Sequence, residues 1–335
     1  MSNHKRFLRF NTATLISVYL LILVGAIVRS LGAGMGCPDW PKCFGSYIPP
    51  TSAESLPDGY ESIFLEQRVK KNARLANTFE FFGWNELAHK VLEDEKVSIT
   101  QPFDVSKAWI EYVNRIIGVL IGLFVIGNMI FSINLSKTSK SLPILGVLIF
   151  LLTLFQGWVG SLVVSTNLLP GFITFHMALA LLMVALLLVM RIIAENKDSY
   201  MVSKRLKLTL LVFFVLLVPQ IITGTLTREQ VDMLLDAGVL RSSLGETLSD
   251  TFLVHRSYSW LLLAIALVSY FQLRKNGLFN WSRVLVVIVL SEVVIGVVLV
   301  YFGMPVYLQP FHLLLGSILF GAVFYLFLHL KMVKA

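Results

Sequence analysis

Three histidines and one asparagine occupy matching places in four long apolar segments. His176, His255 and His312 each lie near the same end of their segment, and Asn114 lies at the corresponding position of a fourth. A neutral imidazole inside a membrane span is energetically costly and is therefore usually functional. Four matching positions on four helices form two facing pairs, the geometry needed to hold a flat metal macrocycle from both sides. We therefore predict two cofactor sites between helices.

The composition is that of a protein that crosses a membrane several times. Hydrophobic residues make up 56% of the 335 residues and charged residues only 14%, which excludes an ordinary soluble globule. The apolar runs are rich in Leu, Val, Ile and Phe and are uninterrupted, as in helices rather than barrel strands. We predict an all-α polytopic membrane protein with eight transmembrane helices, at about 11–31, 109–134, 142–164, 171–193, 206–227, 252–273, 282–303 and 308–330.

Basic residues in the short loops indicate the orientation. The loops 165–170 and 304–307 on one side carry none. We therefore expect both termini in the cytoplasm, with the protein in a bacterial cytoplasmic membrane, or in the mitochondrial inner membrane if it is eukaryotic. The net charge of +8 reflects this bias, and we expect the lipid bilayer and no nucleic acid as a partner. The basic residues predicted on the inner side are Lys5, Arg6, Arg9, Lys137, Lys140, Arg191, Lys197, Lys204, Arg205, Lys207, Arg274, Lys275, Arg283, Lys331 and Lys334.

Recurring motifs predict that the chain is a duplication. We place the halves at 1–193 and 194–335, each a four-helix bundle, related by a pseudo-two-fold axis along the membrane normal. The main difference is the first outer loop, which is long in the first half (32–108) and short in the second (229–251). The recurring markers are Gly25 to Arg29 with Gly224 to Arg228, Asn114-Arg115 with His255-Arg256, and Gly160 to His176 with Gly296 to His312.

The long outer loop carries both cysteines of the chain and a charged, helix-prone segment. Cys37 and Cys43 lie just past the first span, where an oxidising compartment permits a disulfide. The pair is either a structural staple or redox-active, and the residues leave both open. The segment from about 60 to 96 is predicted to form surface helices, which would serve as a cap, as a platform for a partner, or as a plain insertion.

The residues next to the histidines favour haem. The position four residues after each key residue is small, namely Gly118, Ala180, Ser259 and Gly316, which leaves room for a planar ring, although small residues also serve ordinary helix packing. His255 and His312 lie at equal depth and are predicted on neighbouring helices as a bis-histidine haem site, which suits electron transfer. The other half offers His176 and the poor iron ligand Asn114, so a haem there would keep an open face for chemistry.

Charged side chains near these positions extend the prediction. Glu111 lies three residues before Asn114 on the same helix face, where it would shuttle protons or stabilise charge, unless it is a solvated interfacial residue. Arg115 and Arg256 follow the ligand positions directly and are predicted to contact haem propionates, unless they extend only to the interface. Glu292 is deeper, and we expect it to pair with a polar group in its bundle.

Taken together, these residues resemble the haem A synthase family across all eight spans. The stretch from Gly34 to Gly45, with Cys37 and Cys43, is similar to the family's first outer loop. Residues 111–115, Glu-Tyr-Val-Asn-Arg, resemble its Glu-Tyr-x-His-Arg motif. The stretch from Gln156 to Gly160 followed by His176, and the second-half residues His255-Arg256 and His312, are similar to the remaining motifs.

The resemblance implies an eight-span enzyme that oxidises a ring methyl of haem O to a formyl group, giving haem A for the terminal oxidase. Carried over by position, His255 and His312 would ligate a haem b electron carrier in the half 194–335. His176 would ligate the substrate haem in the half 1–193. Glu111 would be the catalytic acidic residue, and the two cysteines would be the outer cysteine pair. The departure is Asn114, which stands where the family has histidine, and we expect turnover to survive it.

The resemblance also implies partners and leaves an alternative. Haem O would be handed over by haem O synthase, and assembly factors of the terminal oxidase would be partners; homo-oligomerisation stays open. The alternative is a protein without enzymatic activity, either a dihaem electron carrier or a haem-delivery factor. Glu111 beside the emptier site favours catalysis, because a pure carrier would favour two closed bis-histidine sites.

Overall fold

The structure is a computed structural model that describes residues 3–34, 36–37, 39, 41–93, 102–137, 139–166, 171–195 and 200–332. Three positions of the cysteine motif (Met35, Pro38 and Trp40), the loop parts 94–101 and 167–170, and the predicted inner residues Lys197 and Lys334 lie outside the described residues.

The fold is all-α and polytopic, as the apolar runs predict. Eight of its helices are long and apolar enough to cross a membrane, all except α2, α3 and α8. In chain order the helices are α1 (Asn3–Ser30), α2 (Tyr60–Phe81), α3 (Asn85–Leu92), α4 (Val105–Ile133), α5 (Ser141–Ser165), α6 (Phe172–Glu195), α7 (Lys204–Asp236), α8 (Leu244–Thr247), α9 (Asp250–Lys275), α10 (Phe279–Tyr301) and α11 (Gln309–His329).

Helix boundaries follow from capping residues in the sequence. The Asp104 carboxylate accepts a hydrogen bond from the Lys107 N–H (3.0 Å) and starts α4, and the Ser203 hydroxyl accepts one from the Leu206 N–H (3.3 Å) and starts α7. Pro310 lies in the first turn of α11, where its missing N–H costs nothing. These caps fix where the helices that carry Asn114 and His312 begin.

Three details differ from the prediction. α1 begins at Asn3, before the predicted start at about 11. α7 continues to Asp236, past the predicted end at 227, because its outer turns bury Glu229 and pair Asp232 with arginines instead of meeting lipid. In addition, two short strands among the described residues, β1 (Met201–Val202) and β2 (Lys331–Met332), pair in parallel. The predicted surface helices are confirmed as α2 and α3.

The transmembrane helices pack as two rings. In the first ring α1 contacts α4, α4 contacts α5, α5 contacts α6, and α6 returns to α1; in the second, α7, α9, α10 and α11 repeat this order. The rings meet where α11 packs against α1 and α6. The rings have two apolar cores, and Leu181 and Ala185 of α6 join the core of the second ring. The same order of neighbours in both rings fits the predicted duplication, while the division at 193 stays a prediction.

The four key residues lie at one end of the rings, on helices that are opposite each other. Asn114 and His176 are on α4 and α6, and His255 and His312 are on α9 and α11. We call the end that carries the Cys37–Cys43 loop the outer end, after its predicted orientation.

Candidate functional site

The imidazoles of His255 and His312 face each other across the second ring. Their ring centroids are 6.4 Å apart and their planes are at 84°. With metal–nitrogen bonds of about 2 Å, a metal ligated by one nitrogen of each ring places the centroids about 6 Å apart. The expectation of neighbouring helices is wrong, because α9 and α11 lie opposite each other in the ring. Opposite helices suit two axial ligands better, since the macrocycle then lies between them.

Both imidazoles have their Nδ1 atoms engaged by the protein. His255 Nδ1 lies 3.1 Å from the Gln220 carbonyl oxygen and 3.3 Å from Thr223 Oγ1. His312 Nδ1 lies 3.0 Å from Glu292 Oε2, close enough for an ion pair but without the geometry of a hydrogen bond. Ligand histidines usually donate one ring N–H to a carbonyl or a carboxylate, which fixes the tautomer and leaves the other nitrogen for the metal. The residues of the second ring thus fit a haem held by two Nε2 atoms.

Each histidine also lies against a glycine of the preceding transmembrane helix. A Cβ atom added at Gly224 would lie 2.8 Å from His255 Cε1, one at Gly160 would lie 3.2 Å from His176 Cε1, and one at Gly296 would lie 3.7 Å from His312 Cε1. The glycines that mark the duplication therefore make room for the imidazoles.

A polar residue stands four positions before each of these glycines and contacts the same histidine. Gln220 Nε2 donates to the His255 carbonyl (3.1 Å), and Gln156 Nε2 donates to the His176 carbonyl (2.9 Å). Glu292 has the same position in the third case. The pattern of Gln or Glu, three residues and Gly is a signal that sequence reasoning missed. In α1 the corresponding residue before Gly25 is Leu21.

The first ring is more open. A Cβ at Gly25 or Gly118 would meet nothing within 4 Å, whereas one at Gly316 would lie 3.8 Å from Glu292 Oε2. Asn114 Oδ1 and His176 Nδ1 are buried and have no hydrogen-bond partner among the described residues. Because buried polar atoms are normally bonded, a pair of unbonded atoms on facing helices indicates a missing group. These residues fit a macrocycle held by one strong ligand, His176.

Glu111 is buried, at 2% exposure, so the alternative of a solvated interfacial residue is wrong. One carboxylate oxygen accepts a hydrogen bond from the Cys37 N–H (2.9 Å), and the other is paired with Arg115. Arg115 also donates to the carbonyls of Cys37 (3.2 Å) and Lys42 (3.3 Å). The carboxylate and the guanidinium together hold the cysteine loop on the outer end of α4.

The predicted disulfide is present between Cys37 and Cys43. Gly36, next to it, lies so close to α4 that a Cβ there would overlap the Lys107 carbonyl. The loop is therefore packed against the helix that carries Glu111 and Asn114.

The two arginines that were predicted to contact propionates have different surroundings. Arg115 is occupied by Glu111 and two carbonyls, whereas Arg256 is exposed and lies over the Phe252 ring, 5.6 Å from its centroid. A propionate role of either residue stays a prediction.

A second buried carboxylate, which sequence reasoning did not single out, anchors the start of α6. Glu229 on α7 accepts hydrogen bonds from the Gly171 N–H (3.2 Å) and the Thr174 hydroxyl (2.9 Å). It is 6% exposed. An acceptor at a helix N-terminus satisfies unbonded N–H groups, so Glu229 fixes the helix that carries His176 against the second ring.

Comparison with known proteins gives consistent matches. The chain matches the cytochrome oxidase assembly protein family over residues 9–94 and 84–324. It is 28% identical to a heme A synthase of Shewanella oneidensis over 64% of this chain and 55% of that protein, so this match spans about half of the relative. Heme A synthases of Ehrlichia canis and Halalkalibacterium halodurans are each 24% identical, over 95% and 99% of this chain and 91% and 99% of their own lengths.

Proposed function

Because the chain belongs to the cytochrome oxidase assembly protein family, we propose that it is a haem A synthase, which oxidises the ring methyl of haem O to a formyl group. The observation that carries the proposal is the asymmetry of the two rings. One ring presents two oriented imidazoles 6.4 Å apart, and the other presents one imidazole opposite an unbonded amide oxygen.

In the second ring His255 and His312 would hold a haem b. A haem held by these two histidines would supply one-electron transfer. The Gln220 carbonyl oxygen and the Glu292 carboxylate lie beside the Nδ1 atoms of His255 and His312, which would leave the Nε2 atoms available as ligands. Gly224 and Gly296 leave room for the imidazoles of His255 and His312.

In the first ring His176 would hold the substrate haem O from one face. Asn114 leaves the other face of the haem without a strong ligand, and Gly118 leaves room along α4 for the flat haem. Gln156 and Glu229 position the helix segment that carries His176. The outer edge of the haem would thus approach the Glu111–Arg115 pair.

Glu111 would be the acidic residue of the reaction, and its carboxylate accepts a hydrogen bond from the cysteine loop. In the resting arrangement its oxygens are held by Arg115 and by the Cys37 N–H. Release of one of these contacts frees a carboxylate oxygen for a proton at the outer end of the substrate site. The disulfide loop therefore has a positioning role for Glu111.

The membrane setting follows from the family and from the loops. We propose a multi-pass protein of the bacterial cytoplasmic membrane with both termini in the cytoplasm. Haem O synthase would supply the substrate, and terminal-oxidase assembly factors would receive the product.

The function is tested by pigment extraction. Protein produced with a source of haem O should yield new haem A and one haem b per chain, and a His176→Ala variant should retain haem b without making haem A. Unchanged haem O in the parent protein would contradict the enzyme.

The occupied state of Glu111 favours a second candidate, a dihaem carrier or delivery factor, because a carboxylate held by Arg115 and the Cys37 N–H is not free to exchange a proton. In that case the parent would bind two haems and release both unaltered. If an Asn114→His variant makes haem A while the parent makes none, the parent is such a carrier and our expectation that turnover survives the asparagine is wrong.

A further inference from the structure

Helix α2 lies across the outer end of the first ring and is attached at both ends. Near its start the Phe64 ring packs on Phe44 of the cysteine loop (centroids 5.1 Å apart), and Phe44 packs on Phe103 before α4 (4.9 Å). Near its end Phe79 stacks on Phe172, the first residue of α6 (6.1 Å). α2 thus connects the outer ends of the two helices that carry Asn114 and His176.

The face of α2 between these aromatic contacts is polar. Arg68 and Asn72 follow Phe64 at intervals of four residues and so share its face. Arg68 is half-buried, and Asn72 is 3% exposed. Neither the oxygen nor the nitrogen of the Asn72 amide has a hydrogen-bond partner among the described residues. An amide buried without any bond is costly, so a hydrogen-bond partner for Asn72 would be stabilising.

Lys71 adds a second positive charge near the substrate site. Its pKa is lowered, first by partial burial and then by the charge of Arg115, and the Glu111 carboxylate acts in the opposite direction. The ammonium therefore lies within electrostatic range of the Glu111–Arg115 pair. Partial burial also lowers the pKa of Arg68.

Arg68 and Lys71 differ from Lys70 in their pairing. Within the part of the chain that the structure describes, Arg68 and Lys71 form no ion pair, whereas Lys70 is paired with Glu66 at 2.6 Å. By helical spacing the half-buried Arg68, the exposed Lys71 and the unbonded Asn72 amide lie on the Phe64 side of α2, and such a set is suited to an anion with several oxygens.

We propose that Arg68, Lys71 and Asn72 bind the two propionates of the haem held by His176, with α2 as the lid of the substrate site. This inference rests on the proposed function. His176 lies four residues into α6, about 6 Å below Phe172, so the edge of a haem ligated there reaches the level of α2. An arginine fork and an ammonium both bind carboxylates, and the amide N–H completes the set. Of the three roles open to the outer loop, this makes it a cap.

The test compares haem O with its dimethyl ester, in which both propionates are neutral. Each is titrated into purified protein that holds haem b, and binding is followed by the absorption change that a His176→Ala variant lacks. The parent should bind haem O at least about tenfold more tightly than the ester, since a charge-assisted hydrogen bond contributes that much or more. The double variant Arg68→Gln/Lys71→Gln should bind haem O no better than the ester and should bind the ester as the parent does.

Two further variants make the test specific. Lys70→Gln removes a cation from the same helix on its solvent side and should leave both affinities unchanged. Asn72→Asp places a carboxylate among the propionates and should weaken binding of haem O but not of the ester. Haem b per chain reports that all variants are folded.

The possible outcomes separate this inference from the proposed function. A parent protein without His176-dependent haem binding overturns the proposed function itself. A double variant with parental affinity for haem O, an equal loss for haem O and the ester, or the same loss in Lys70→Gln overturns the lid alone.

Discussion

The two helix rings have their key residues at equivalent positions, but only the second ring has two histidines with a glycine and a polar residue beside each. In the second ring both histidines have a glycine beside them and a polar partner at Nδ1. In the first ring His176 has its glycine and its glutamine, but a Cβ at Gly25, the counterpart of Gly224, would meet nothing within 4 Å, and Leu21 stands in place of the polar residue. The difference teaches that the asparagine at 114 goes together with the absence of the polar residue, whereas the glycine is present in both rings.

On the proposed function, the second ring would retain its haem between two strong ligands and carry electrons, whereas a haem with one strong ligand in the first ring could exchange and react. The outer segments of the two rings also differ. The first ring carries the long insertion with α2 and α3 between α1 and α4, whereas the second has only the short α8 between α7 and α9 among the described helices. Variants of one ring can therefore be compared with variants of the other.

The largest effect is expected from His312→Ala. Without one axial imidazole the second ring should lose its six-coordinate spectrum and most of its haem b. The first-ring counterpart, His176→Ala, should leave that spectrum unchanged. The measurement is a reduced-minus-oxidised spectrum with quantitative haem extraction. Retention of the parental absorption bands in His312→Ala would disprove the assignment of the ligands.

A second large effect is expected from Asn114→His, which restores the missing imidazole. Haem bound in the first ring should become six-coordinate and dissociate about tenfold or more slowly, because a strong ligand replaces a weak one. The dissociation rate to a haem-binding acceptor and the low-spin spectrum are the measurements. An unchanged rate would show that the residue at 114 does not face the iron.

Glu292→Gln should have an intermediate effect, on the second ring alone. A carboxylate beside the Nδ1 atom makes His312 a stronger donor and favours ferric iron, so its neutral counterpart should raise the reduction potential of haem b. A tenfold change in the equilibrium corresponds to 59 mV for one electron. Potentiometric titration gives the value, and Glu229→Gln, which neutralises a buried carboxylate of α7 that contacts the start of α6 rather than a histidine of the second ring, is the control. Equal shifts in both variants would assign the effect to overall charge rather than to the His312 contact.

Much of this arrangement is encoded locally and could be predicted. The spans follow from apolar runs, and the key residues follow from their recurrence at equal depth. The expectation that Glu292 pairs with a polar group of its bundle is confirmed, but the identity of that group, His312 of α11, depends on how the helices pack and could not be predicted. The pairing of Arg115 with Glu111 and with the cysteine loop depends on how that loop folds back. Nothing in the sequence singled out Arg68, Lys71 and Asn72, and only the position of α2 at the outer end of the first ring gives them a common target.

The smallest effect is expected from one methyl group placed at equivalent glycines of the two rings. In Gly224→Ala the new Cβ would lie 2.8 Å from His255 Cε1, so the imidazole must shift, at a cost of about 1–3 kcal/mol for overpacking. In Gly25→Ala the Cβ meets nothing within 4 Å, and haem binding should be unaffected. Thermal unfolding and haem b content of the two variants are compared under the same conditions. If Gly25→Ala were as damaging as Gly224→Ala, the first ring would be as closed as the second, and the open face that the substrate requires would not exist.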